Sequence, residues 1–222
     1  MFLKLSNLLM VGKLGMEQSG MTKVAVFPFN MIYDRESGMA LAVKYLSESR
    51  FNNKLLHSFG VGEFAYRVAS RILQKHASLT HLDAELAGFL GYVHDIGVSR
   101  TPLSHEIPSI EILIEDGVEP SIAKMAMHGQ VEEQYGNGDG RYLPVGIEGM
   151  ILTYSDMTIH IQSPMSIEER IVDIKKRVSN IKDITPEKKN EILENIDKAY
   201  PRYKAYERII FLISGAESFK DF

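Results

Sequence analysis

Residues 86–97, Leu86-Ala87-Gly88-Phe89-Leu90-Gly91-Tyr92-Val93-His94-Asp95-Ile96-Gly97, decide how the chain is read. Leu86, Phe89, Leu90 and Val93 recur at steps of three and four, the spacing of one helix face. Asp83 stands where an N-cap belongs, and Gly97 where a helix stops. Between them the apolar run ends on His94 and Asp95. A carboxylate at the end of such a run is costly to bury unless something compensates it.

The same helical period extends outward in both directions. Residues 37–48 are expected to form a helix with Ser37 as N-cap. Phe64, Val68 and Ile72, with Ala65 and Leu73, make another apolar face, which His57 is expected to open. Pro108 opens a short helix through Ile110, Leu113 and Ile114 that Asp116-Gly117 ends. Pro120 opens the next, through Ile122, Met125 and Ala126, ended by Gly129. Ile147, Met150, Ile151, Tyr154 and Thr158 mark a further helix. Ser166 with Glu169 forms a capping box before Ile167, Ile171, Ile174 and Val178. Thr185-Pro186 starts a charged helix that Pro201 is expected to break or kink, and a last helix runs to about Ile213.

Strand signal is thin. Lys23–Phe29 alternates weakly and contains Pro28, so it is extended or an edge at most. Gln134–Gly140 is a turn-rich loop. The expected fold class is all-α: an N-terminal arm over 1–36, a helical domain over 37–180 and additional C-terminal helices over 181–222 packed on it. Tyr200, Tyr203, Tyr206, Ile209, Ile210 and Phe211 in that last part cover the core, close a pocket or form a homodimer face; periodicity leaves the three open.

Composition removes several classes of function. The 222 residues contain no cysteine, so disulfides, thiolate zinc fingers, iron–sulfur clusters and a cysteine nucleophile are excluded. A net charge of −4 gives no basic field for duplex nucleic acid. No apolar run approaches the roughly 18 residues of a membrane span. The first twenty residues hold a short apolar run broken by Lys13 and no small-residue cleavage site, so a signal peptide is not expected and a cytoplasmic setting is. Walker A, GxGxxG and GxSxG motifs are lacking.

Against this background, polar groups inside apolar helices are the anomalies. His57, His94, Asp95, His105, His128 and Asp156 sit within or at the ends of apolar segments. Imidazole and carboxylate together, without thiolate, suit a divalent metal ion. A single such histidine is more often a satisfied core or surface group. His76 and His81 in a polar connection, and His160 beyond its periodic run, are read that way.

Taken as an ordered set, His57, His94-Asp95 and Asp156 resemble the HD superfamily of metal-dependent phosphohydrolases. HSFGVGEFAYRVA (57–69) is similar to the helix of the first ligand, LAGFLGYVHDIG to the central helix, and ILTYSDM (151–157) to the helix of the last Asp. The likeness covers about residues 50–180 and is nearest to small HDIG-type hydrolases. It implies an HD-domain helical bundle in which His57, His94, Asp95 and Asp156 hold one divalent ion, with Asp95 reaching a second held by His105 and His128. It also implies a phosphomonoesterase or phosphodiesterase that uses a metal-activated water on a nucleotide or other small phosphoester. Iron or manganese fits such ligands first, with nickel, zinc and magnesium compatible. Arg100 and Lys124 are the candidate cations for the phosphate.

Departures from the family pattern bear on activity. Val98 replaces the Lys that follows HDIG in HD-GYP phosphodiesterases, the GYP element is absent, and a further paired His is not found. Positions 96–101 lack the carboxylate of one-metal HD nucleotidases, for which Glu106 is the nearest substitute. The alternative reading is a non-catalytic HD-fold regulatory module that binds a metal or a nucleotide.

Overall fold

A computed structural model of the chain describes residues 32–78, 81–101 and 103–222. The weak strand expectation over 23–29 and most of the proposed arm lie outside these residues. The chain runs through α1 (Arg35–Leu46), α2 (Asn52–Lys75), α3 (Ala84–Val93), α4 (Glu106–Glu115), α5 (Pro120–Met125), α6 (Val131–Tyr135), α7 (Gly146–Thr158), α8 (Ile167–Asn180) and α9 (Pro186–Ser214). The fold is all-α. The one sheet among the described residues is an antiparallel pair, β1 (Ile159–His160) with β2 (Ser163–Pro164), which periodicity did not foretell.

Helix starts follow local chemistry. Asp83 accepts the N–H groups of Glu85 and Leu86, as its position suggested. Ser166 and Glu169 form the capping box of α8, and Thr185 caps α9. Ser37 is not an N-cap: Asp34 takes that role, its carboxylate accepting both the N–H and the hydroxyl of Ser37. The ionised oxygen at 34 satisfies the orphan amide of Ser37 itself, so the cap lies three residues earlier. His57 does not open its helix either, because α2 starts at Asn52 and places His57 in its second turn.

Two glycines set the central crossing. A Cβ on Gly91 of α3 would stand 2.7 Å from the Cα of Gly62 on α2. A Cβ on Gly62 would stand 2.5 Å from the Tyr92 ring. Only glycine at both positions lets the two backbones meet, and His57 and His94 lie within two turns of that contact. Phe64, Val68, Phe89, Leu90, Ile151, Leu152 and Tyr154 bury themselves around it as the core of the molecule.

After Val93 the chain leaves the α-helix and passes through a 3-10 turn, Ile96–Ser99. Gly97 therefore sits inside this turn rather than stopping α3. Its Cα faces the start of α4, where a Cβ would meet the His105 carbonyl at 2.1 Å. Ser109 fastens the junction: its hydroxyl accepts from Gly97 N–H at 2.9 Å and lies 2.6 Å from the His94 carbonyl it donates to. This packing carries His105 back toward His94 and Asp95.

α9 continues through Pro201 as one helix of 29 residues. Proline removes a single backbone bond. Ile196, Ala199, Tyr203 and Ile210, on both sides of it, are buried against the core and keep the two halves in one helix. Of the C-terminal residues, Tyr203 and Ile210 join the core, Tyr200 and Phe211 pack against it, and Ile209 is exposed.

Candidate metal centre

Five segments converge on one cluster: α2 brings His57, the end of α3 brings His94 and Asp95, the N-cap of α4 brings His105, the loop after α5 brings His128, and α7 brings Asp156. Asp95 is at the middle. Its Oδ2 lies 3.5 Å from His94 Nε2 and 3.9 Å from His57 Nε2. Its Oδ1 accepts from His105 Nε2–H at 2.5 Å and lies 4.0 Å from His128 Nε2. Asp156 Oδ1 accepts from His57 Nε2–H at 3.0 Å and lies 3.7 Å from His94 Nε2. All six residues read from the sequence as candidate ligands are thus brought together.

Two of the imidazoles have a fixed tautomer. His94 donates Nδ1–H to the carbonyl of Gly91 at 2.7 Å, and His128 donates Nδ1–H to the carbonyl of Ala126 at 2.9 Å. A carbonyl can only accept, so the proton sits on Nδ1 and the lone pair of Nε2 is aimed into the cluster. His94 Nε2 is buried and has no hydrogen-bond partner among the described residues. A backbone carbonyl behind the ring and an unsatisfied nitrogen in front is the arrangement that metal-binding histidines adopt. The donor set therefore fits a divalent ion. Donor atoms fall into three overlapping groups, His57/His94/Asp156, His94/Asp95/His128 and His105/Glu106/His128, each within 4.8 Å.

Electrostatics favour charged carboxylates and neutral His94. Burial pushes His94 down to about 3, against the pull of Asp95. Burial would raise Asp95, but the Lys54 ammonium and the imidazoles of His94 and His105 hold it well below the usual carboxylate range. Burial would also raise Asp156, yet the hydrogen bond from His57 and the neighbouring imidazoles hold it far down. His105 moves the other way: burial would lower it, but the charge of Asp95 and their hydrogen bond raise it.

The two cations anticipated for a phosphate are not in the cluster. Arg100 turns its guanidinium to Glu115 and Glu111 on α4, because that acidic face lies directly beside the 3-10 turn. Lys124 is exposed on α5. The cation that is present is Lys54, whose Nζ donates to Asp95 Oδ2 at 2.8 Å. Its spacing of one turn before His57 puts both on one face of α2, and that was the available signal. Arg170 is the second: it is buried on α8, where it occupies a position on the apolar stripe of Ile167, Ile171 and Ile174, and it feels the charges of Asp156 and Asp95.

Comparison with protein-family models, with curated proteins and with solved structures gave no match. Among the described residues no helix is long and apolar enough to cross a membrane.

Proposed function

We propose that the chain is a metal-dependent phosphohydrolase of HD type, acting on a nucleotide or other small phosphoester. The observation that carries this reading is the pair of tautomer-locked imidazoles, His94 and His128, presenting bare Nε2 atoms to the buried carboxylate of Asp95. A divalent ion among these donors, iron or manganese first, supplies a water of near-neutral pKa and polarises a phosphoryl oxygen.

The chain's own groups do the rest. Gly91 and Ala126 keep His94 and His128 in the ligating tautomer. Asp95 and Asp156 remain ionised and match the charge of a cation. Lys54 is 36% exposed while Asp95 is 2% exposed, so its ammonium spans from the buried carboxylate to solvent. A phosphoester arriving from that side meets Lys54 first, and a positioned ammonium neutralises charge that grows on the phosphate oxygens. No side chain has to attack phosphorus.

The test is metal analysis of the purified protein, followed by turnover of p-nitrophenyl phosphate and bis-p-nitrophenyl phosphate with manganese, iron, nickel, zinc or magnesium added. Bound metal with metal-dependent release of p-nitrophenol is expected, and Asp95→Ala should lose both metal and turnover. Metal without turnover of any phosphoester would replace this reading with the regulatory module. Wild-type turnover by Asp95→Ala would overturn the site itself.

A further inference from the structure

The two faces of Asp95 have matching surroundings. On the Oδ2 side stand two imidazoles, His57 and His94, and one further carboxylate, Asp156. On the Oδ1 side stand two imidazoles, His105 and His128, and again one further carboxylate, Glu106. Glu106 has no motif behind it, and as a first-turn acid of α4 it needs no ligand to explain it. Its placement is more specific than that. Gly129 beside His128 has φ +66, and a Cβ built on it would stand 2.6 Å from Glu106 Oε1. The carboxylate thus occupies room that only glycine leaves open. Arg202 fixes that backbone, donating from Nη2 to the Gly129 carbonyl at 2.9 Å. The other ring nitrogen of His105, Nδ1, is buried without a hydrogen-bond partner among the described residues.

We propose that Glu106 is the carboxylate donor of a second cation pocket, completed by His105, His128 and Oδ1 of Asp95. Two imidazoles and two carboxylates, with no thiolate, suit a divalent first-row ion such as manganese, iron or zinc. The proposal rests on the reading of the cluster as a metal centre. It has a consequence for charge: three carboxylates against two divalent ions leave the centre positive, the sign an anionic phosphoester requires.

The experiment is titration of the metal-stripped full chain with Mn2+ alone, counting free ion by electron paramagnetic resonance. Wild type is expected to take two ions. Glu106→Gln, which keeps the shape of a half-buried side chain, is expected to keep one and to weaken the other at least ~10-fold. Gly129→Ala should reproduce that loss by displacing the carboxylate, with thermal melting to show that the variant is folded. Two ions bound by Glu106→Gln with wild-type affinities would overturn the role of Glu106. One ion in wild type would overturn the second pocket and leave the first standing, and no ion at all would overturn the metal centre as a whole.

Discussion

At the scale of single residues, Lys54 and Asp95 touch at 2.8 Å yet should separate under mutation. Asp95 is a donor at the centre of the cluster, whereas Lys54 competes for one of its oxygens. Lys54→Ala should therefore retain its metal, bound as tightly as in wild type or more so, while kcat/KM on a phosphoester falls by roughly 10²-fold, the scale for one positioned charge. Metal content and turnover measured on the same preparation would check it; a variant that lost its metal would show that Lys54 is structural. His105 gives a second handle. Its raised pKa means that the metal-free protein holds a proton on it above the usual range for histidine, roughly 6.5. That proton stabilises the metal-free fold below the unfolded value, and the contribution is lost as pH rises through the folded one. His94 has the opposite sign: depressed to about 3, it costs stability as pH falls from roughly 6.5 toward 3. Metal has to displace the proton of His105, so affinity should climb with pH above ~6.5 and binding should release a proton. Calorimetry in buffers of different ionisation heat reads this directly, and His105→Gln should abolish the release. The six candidate ligands were legible as an ordered set, each in its helical context, and not one by one. Arg100 was misread because sequence spacing does not show that Glu111 and Glu115 face it.

At the scale of elements, the site depends on how closely α2 and α3 approach. Gly91→Ala puts a methyl 2.7 Å from the Gly62 Cα, and both are backbone positions with no flexible end to yield. The helices must part, which costs about 1–3 kcal/mol as overpacking. His57 and His94 ride on those two helices, so metal affinity should fall along with stability. An exposed control such as Gly138→Ala, which meets no atom within 4 Å though its φ is +76, should lose some stability to backbone strain but no metal. Comparing denaturation midpoints and metal affinities of the two variants separates these effects. Helix identities along the chain were legible from caps and period: Asp83, the Ser166 box and Thr185 all act as read. The end of α3 was not, because Gly97 serves a close approach to α4 rather than a stop. Nor was the continuity of α9, because of the two outcomes expected at Pro201, a break or a kink, the break ignores the packing on both sides of it, which only tertiary structure supplies.

At the scale of the whole molecule, the cluster ties together segments far apart in sequence, from His57 on α2 to Asp156 on α7. An ion that binds those donors when they are assembled, and not when the chain is unfolded, stabilises the fold by mass action. At a free concentration about 100 times Kd the gain is about 2.7 kcal/mol. For a chain of this size each kcal/mol moves Tm by roughly 2–4 °C, so stripping the metal with a chelator should lower Tm by on the order of 5–10 °C. The added ion should restore the loss in proportion to the logarithm of its concentration. The buried charges give a reason to expect the full effect. Without an ion, Asp95 and Asp156 are neutralised among the described residues by Lys54, Arg170 and shared imidazole protons, and His94 Nε2 has no hydrogen-bond partner among them. Asp156→Asn removes one of those charges at a position on the site's edge. It should lower the stability of the metal-free protein, because its neighbours favour the charged carboxylate in the folded state, and it should shrink the shift on adding metal, because the same group is a candidate ligand. A Tm that neither chelator nor added metal moves, in wild type and in Asp156→Asn alike, would mean that these carboxylates are held by their neighbours alone and await no cation.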